Sequence, residues 1–190
     1  MQPPICDLGL ACSTWPNRDG YLDGIADPQE KAKAISGLSA SVHAIYHFAE
    51  EAIENPERIL PKLARMGYVG LEDTLTMSPE ERWRKVLITM ALKDKVGDCN
   101  ILAKLAFEFL KDKIGDIPLA IHRTPDTNHA FLVLGNPTDY PDIMICDLFA
   151  RESFPYSERY SRPCNYGSVD ACGNPTIEPF EFASRTFPDP

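Results

Sequence analysis

With 190 residues, the chain is long enough for one domain with a single buried core. It carries 28 acidic and 19 basic side chains, and its net charge of -9 repels phosphate backbones and anionic lipid headgroups. We therefore expect neither nucleic acid nor a membrane surface as a partner. The sequence also has no apolar run close to the roughly 20 residues that are needed to cross a bilayer.

The first residues and the cysteines indicate the compartment. Met1-Gln2-Pro3-Pro4 lacks the basic start and the apolar stretch of a secretory signal, so we expect synthesis in the cytoplasm without a cleavable signal peptide. The six cysteines are then expected to be thiols, unless the chain is secreted by a route that needs no cleavable signal. Their spacings do not match the C-x-x-C pattern of a structural zinc site, and we expect no metal and no cofactor.

The first half of the chain is predicted to be helical. Residues 1–26 contain prolines and glycines without a period and are expected to form an irregular arm. Asp27-Pro28 signals the start of a helix that continues to about residue 54, with Gly37 as a point of interruption. A short helix over 56–67 follows, and Ser78-Pro79-Glu80-Glu81 is a capping box that begins another.

The second half changes from helix to strand. A helix is predicted from Cys99 to about Lys111, because apolar residues recur there at intervals of three and four. Short apolar segments at 117–123, 128–135 and 143–149 are separated by turn-forming residues and predict an antiparallel meander of three strands. The segment 153–190 is rich in proline and glycine and is expected to be irregular.

These elements predict an α+β fold. In this fold a cysteine at a helix N-terminus packs on a short antiparallel sheet, and a helical N-terminal half precedes it. We expect one domain over residues 1–190, with residues 27–152 as its core, and a monomer.

Cys99 stands where a helix is predicted to begin. Asp98 is the expected N-cap, and the first turn of a helix supplies free amides and a positive dipole end that favour a thiolate. The acidic side chain of Asp98 opposes the thiolate unless it is engaged in capping. The backbone amide of Cys99 is the expected first oxyanion donor, and Asn100 and Lys93 are weak candidates for the second.

A histidine and an aspartate lie on the two strands that follow. Alternation places His129 on one face of its strand with Phe131, and Asp147 on one face of the next strand with Ile145. Adjacent antiparallel strands can bring His129 and Asp147 into contact if the register is correct. Asp147 would then orient the imidazole as the base for Cys99, which completes a nucleophile, base and orienter.

At these residues the chain resembles the papain-like and transglutaminase-like cysteine enzymes. The resemblance is nearest to the papain-fold toxin and effector domains of bacteria, and it covers about residues 95–150. Three segments carry it: Gly97-Asp98-Cys99-Asn100, Asn128-His129-Ala130-Phe131 and Cys146-Asp147-Leu148-Phe149-Ala150. Leu148-Phe149 stands where Pro-Trp is common in that family.

The resemblance implies acyl transfer through a thioester, with Cys99, His129 and Asp147 as the catalytic residues. It favours deamidation or transamidation of a glutamine in a protein substrate, which could be a host protein reached by secretion of the chain as an effector. Cleavage of a peptide bond by a thiol protease uses the same three groups and stays open. A protein-binding module that keeps the fold without turnover is the alternative of another class, with the aromatic residues of the tail as its expected contacts.

Three other histidines are possible site residues. His43 and His47 lie four residues apart on the first helix, but the glutamate that follows the first histidine in H-E-x-x-H zinc hydrolases is missing, so a helix face is the better interpretation. His122 on the first strand is a rival base to His129, in a less distinctive setting.

Overall fold

The computed structural model describes residues 24–123, 129–135, 143–150, 152–161 and 178–179. Its residues form two compact units, and the boundary lies between Ile101 and Leu102. We call the described residues up to Ile101 the N-terminal unit and those from Leu102 the C-terminal unit. Most of the predicted irregular arm lies outside the described residues.

The N-terminal unit begins with a long helix, α1, over Pro28–Glu54. The Asp27 side chain caps it by accepting a hydrogen bond from the backbone N–H of Gln29 at 2.8 Å. The helix passes through Gly37 without interruption, so the predicted break is absent. Its buried residues lie in its second half, which is therefore the part that packs into the unit: Ile45, Ala49 and Ala52.

Two more α-helices complete this unit, α2 over Pro56–Arg65 and α3 over Pro79–Asp94, with a 3-10 helix over Glu72–Thr76 between them. The predicted capping box is confirmed: Glu81 N–H donates to the Ser78 hydroxyl, and the Glu81 carboxylate accepts from the Ser78 N–H at 3.1 Å. Lys95 ends α3 in the left-handed conformation with φ 55°.

A buried arginine on α3 fastens the 3-10 segment to the helices. The Arg82 guanidinium donates to the carbonyls of Thr74 at 2.9 Å, Met77 at 3.0 Å, Leu75 at 3.2 Å and Ala52 at 3.4 Å. Arg82 is only 8% exposed, so its charge has lost most of its water, and these carbonyls take the place of that water.

The helix α4 over Cys99–Leu110 follows, and the boundary between the units falls inside it. The sequence predicted an apolar stripe on one side of this helix. The structure instead buries every residue from Ile101 to Phe107, so the middle of α4 has no exposed side.

The sheet of the C-terminal unit is antiparallel, in the order β4-β3-β2-β1-β5. Its strands are β1 Leu119–Arg123, β2 Ala130–Leu134, β3 Met144–Asp147, β4 Glu152–Pro155 and β5 Glu178–Pro179. The predicted three-stranded meander is confirmed as β1, β2 and β3. The turns predicted at 124–126 and 136–139 lie outside the described residues.

The prediction that residues 153–190 are irregular is wrong at its start, because β4 runs through that boundary and a 3-10 helix, Tyr156–Ser161, follows it. Phe154 and Tyr156 are 1% and 0% exposed, so burial of two aromatic rings outweighs the local proline signal. Pro155 is tolerated because β4 is an edge strand.

One face of the sheet carries an apolar cluster, and the candidate site lies at the end of this face. Its members are Phe131, Val133, Ile143, Ile145, Phe154 and Tyr156. The fold is α+β, as predicted. No helix in the described part of the chain combines the length and the hydrophobicity that a membrane span requires.

Candidate active site

Cys99 is the first residue of α4, and the aspartate before it caps the helix. Asp98 Oδ1 accepts a hydrogen bond from the Ile101 N–H at 2.8 Å, so the predicted N-cap is confirmed. Cys99 is partly exposed and carries a thiol. The capping contact engages the Asp98 carboxylate, as the prediction of a thiolate at this position requires.

A residue that the sequence analysis missed also binds this carboxylate. The Tyr46 hydroxyl, on α1, lies 3.1 Å from both oxygens of Asp98. Burial raises the pKa of Tyr46, and the charge of Asp98 and the hydrogen bond to it raise it further. The hydroxyl therefore keeps its proton and donates a hydrogen bond to Asp98.

His129 and Asp147 are in contact. The β2–β3 register pairs Leu132 with Cys146, which places Phe131 opposite Asp147 and His129 on the diagonal, on the same face. His129 Nε2 lies 2.5 Å from Asp147 Oδ2. The predicted contact between these two residues is therefore confirmed.

Asp147 is held rigidly because its other oxygen accepts two backbone hydrogen bonds. Phe149 N–H donates to Oδ1 at 2.8 Å and Ala150 N–H at 3.0 Å, so the turn after β3 folds around the carboxylate. Asp147 is 1% exposed. The two backbone hydrogen bonds and the contact with His129 together satisfy both oxygens of this buried carboxylate.

Two aromatic rings enclose the imidazole of His129. The Phe149 ring meets it edge-on with centroids 5.8 Å apart, and the Phe131 ring lies tilted at 6.1 Å. The His129 side chain is 13% exposed, so most of the ring is packed and a margin is open. The contact of the Phe149 ring with the histidine was not predicted from the sequence.

This arrangement defines the chemistry that the histidine can perform. When Asp147 is ionised it only accepts hydrogen bonds, and the proton on the shared edge then belongs to His129 Nε2. A neutral ring then carries its lone pair on Nδ1, which is the nitrogen able to take a proton from a thiol or a water molecule. The pair therefore has the arrangement that an oriented general base requires.

The rival groups have different surroundings. His122 lies on β1 opposite Phe131 and is 3% exposed, so it is largely removed from solvent. His43 and His47 are exposed on α1, and His43 Nδ1 lies 3.1 Å from the Ser39 carbonyl oxygen. In the described ranges, no three His, Cys, Asp or Glu residues are grouped to hold a metal ion.

Lys93 was a weak candidate for an oxyanion donor, and its contacts are structural. Its Nζ donates to the Met66 carbonyl at 2.6 Å and lies 4.3 Å from the centre of the Tyr68 ring. Asn100 Oδ1 is buried and has no hydrogen-bond partner among the described residues. These contacts do not identify the second oxyanion donor.

The structure thus brings His129 and Asp147 together within the C-terminal unit, and Tyr46 and Asp98 together beside Cys99 in the N-terminal unit. Tyr46 gave no signal in the sequence, because it lies 52 residues before Asp98 and its neighbours show only the helix period. Comparisons of the chain with protein-family models, with curated proteins and with solved structures found no match.

Proposed function

We propose that the protein is a cysteine-dependent acyl-transfer enzyme with Cys99 as nucleophile, His129 as general base and acid, and Asp147 as the residue that orients His129. The observation that carries the proposal is the contact of 2.5 Å between His129 and the buried Asp147. A histidine held by a carboxylate that two amides fix is the arrangement a thiol nucleophile needs. The position of Cys99 at a capped helix start supports it further.

The favoured substrate is the side-chain amide of a protein glutamine, a choice that rests on the resemblance to papain-fold effector domains. His129 Nδ1 takes the thiol proton as Cys99 Sγ bonds to the amide carbon. The carbon–nitrogen bond then breaks, ammonia leaves with that proton, and a thioester remains. Water attacks the thioester, its proton passes through His129 to Sγ, and the products are glutamate, ammonia and the free enzyme. A primary amine in place of water gives transamidation.

The residues of the first turn of α4 would stabilise the oxyanion of the two tetrahedral intermediates. We assign this role first to the backbone N–H of Cys99, because the helix start directs amide hydrogens and the positive dipole end at this position. Asp98 already accepts from the Ile101 N–H, so that amide is engaged in capping.

Intact mass spectrometry tests the reaction type. The full chain is incubated with candidate host proteins, with and without a primary amine, and a gain of about one dalton per site indicates deamidation. A gain equal to the amine minus ammonia indicates transamidation, and new fragments indicate a thiol protease. Cys99→Ser must abolish the change, whereas Cys146→Ser, at a buried thiol on β3, must retain it. A change that persists in Cys99→Ser overturns the proposal.

Thiol reactivity tests the nucleophile without any substrate. Alkylation of Cys99 by iodoacetamide near neutral pH is expected to be faster than that of the other five cysteines, and His129→Ala should slow it. Equal rates at all six cysteines would favour the non-catalytic binding module instead.

A further inference from the structure

Tyr46 connects the long helix α1 to the start of the helix that carries the nucleophile. Its hydroxyl lies 3.1 Å from each oxygen of Asp98, and Asp98 Oδ1 also accepts from the Ile101 N–H at 2.8 Å. The Tyr46 ring lies 6.2 Å from the Trp83 ring of α3, measured between centroids, which limits its movement. Asp98 is therefore held from two sides, by a phenol and by the first turn of α4.

The carboxylate of Asp98 is the main electrostatic obstacle to a thiolate at Cys99. A negative charge one residue away disfavours a second negative charge, whereas hydrogen bonds to that carboxylate spread its charge and hold it toward the helix amides. Because the pKa of Tyr46 is raised, first by burial and then by Asp98, its hydroxyl remains a donor throughout the physiological range of pH. A negative charge on Cys99 would raise the pKa of Tyr46 further, so the two groups lie within electrostatic range of one another.

We propose that Tyr46 is a positioning residue for the nucleophile, whose hydroxyl holds Asp98 in the N-cap and weakens the repulsion between that carboxylate and the Cys99 thiolate. The inference rests on the proposed function in one respect, that Cys99 is the nucleophile. Asp98, its neighbour in the chain, and Tyr46 are two titratable groups that act on the thiol within its own unit, and the proposed triad adds His129 and Asp147.

The proposal predicts opposite effects for two variants. Tyr46→Phe removes the donor, leaves the Asp98 charge more localised, and should displace the pH profile of Cys99 alkylation to higher pH. Asp98→Asn removes the charge, and its side-chain oxygen can still cap α4, so the profile should move to lower pH. The double variant should follow Asp98→Asn alone, because without the carboxylate the hydroxyl has no charge to offset.

The experiment uses the full chain and follows iodoacetamide alkylation of the Cys99 peptide by mass spectrometry from about pH 5 to pH 10. Near neutral pH, Tyr46→Phe should react on the order of three- to tenfold more slowly, which corresponds to a typical hydrogen bond and not to one made directly to a charged group, because the effect reaches the thiol only through Asp98. Tyr68→Phe is the matched control: it removes another buried phenol of the same unit, which binds Asp94, and should leave the profile in place.

The proposal would be overturned if the pH profiles of both single variants moved in the same direction. It would also be overturned if a folded Tyr46→Phe protein kept the wild-type profile. If Tyr46→Phe fails to fold, a shift of the alkylation profile of Asp98→Asn to higher pH would also overturn the proposal. These outcomes are distinct from failure of the proposed function, because alkylation reports the thiol without any acyl substrate. A protein that shows the opposite shifts but modifies no glutamine retains the Tyr46 inference and loses the proposed reaction.

Discussion

His129 lies just before β2 and Asp147 ends β3, at diagonal positions, and their side chains meet at 2.5 Å at the end of the apolar face of the sheet. The core and the candidate base therefore share one face and one register. This relationship makes Asp147 the first residue to test after Cys99.

Replacing Asp147 by asparagine should reduce turnover by about 10²–10⁴-fold. The amide can donate to Nε2, which would place the ring proton on Nδ1 and remove the base. Turnover and the pH profile of Cys99 alkylation are measured together, with Asp112→Asn, at an exposed position on the same unit, as the control. Activity of Asp147→Asn equal to that of the control would contradict the assigned role.

Phe149 should affect the rate through the orientation of His129. Phe149→Ala removes the edge-on ring 5.8 Å from the imidazole and is expected to lower kcat about tenfold with little change in KM, because it loosens the base and not the substrate. Phe149→Trp keeps an aromatic edge and should retain most of the rate. An increase of KM alone in Phe149→Ala would indicate instead that the ring binds substrate.

Arg82 is expected to be a major contributor to stability. Arg82→Met leaves four carbonyls without their donor and should lower the free energy of unfolding by about 2–4 kcal/mol. Urea denaturation followed by circular dichroism measures this change, and Arg65→Met, at an exposed position on α2, is the control. A loss below that of the control would mean that water replaces the guanidinium without cost.

Tyr68 should titrate far above an ordinary tyrosine. Its burial, together with the 2.8 Å hydrogen bond to Asp94, raises its pKa to about 12 from 10.0. Because the folded state favours the neutral phenol, this contribution to stability is complete below about pH 10 and is lost as the pH rises through about 12. The ultraviolet difference between wild type and Tyr68→Phe isolates the one phenol, and a midpoint near 10 in the folded protein would disprove the prediction.

The parts of the structure that could be predicted depend on neighbours in the sequence. The caps at Asp27, Ser78 and Asp98 each satisfy amides within three residues, so their patterns are readable without a fold. The contact of His129 with Asp147 depends on a strand register that the sequence does not specify. Strand alternation left two possibilities: the two side chains lie on the same face of the sheet or on opposite faces.

The features that escaped prediction are non-local or locally contradicted. Tyr46 meets Asp98 across 52 residues, and no pattern near either residue indicates the partner. The strand Glu152–Pro155 was not predicted because prolines occur in it and after it, and local propensity does not include the burial of Phe154. Phe149 follows its strand in a turn, where period-two alternation no longer predicts a direction.

The shared face of β2 has a consequence for how this chain can evolve. Phe131 and Val133 fill the apolar cluster, and His129 stands on the same side of the same segment. A one-residue slip would turn the cluster outward and the imidazole away from Asp147 at once. Selection for a folded core therefore also preserves the alignment of His129 with Asp147.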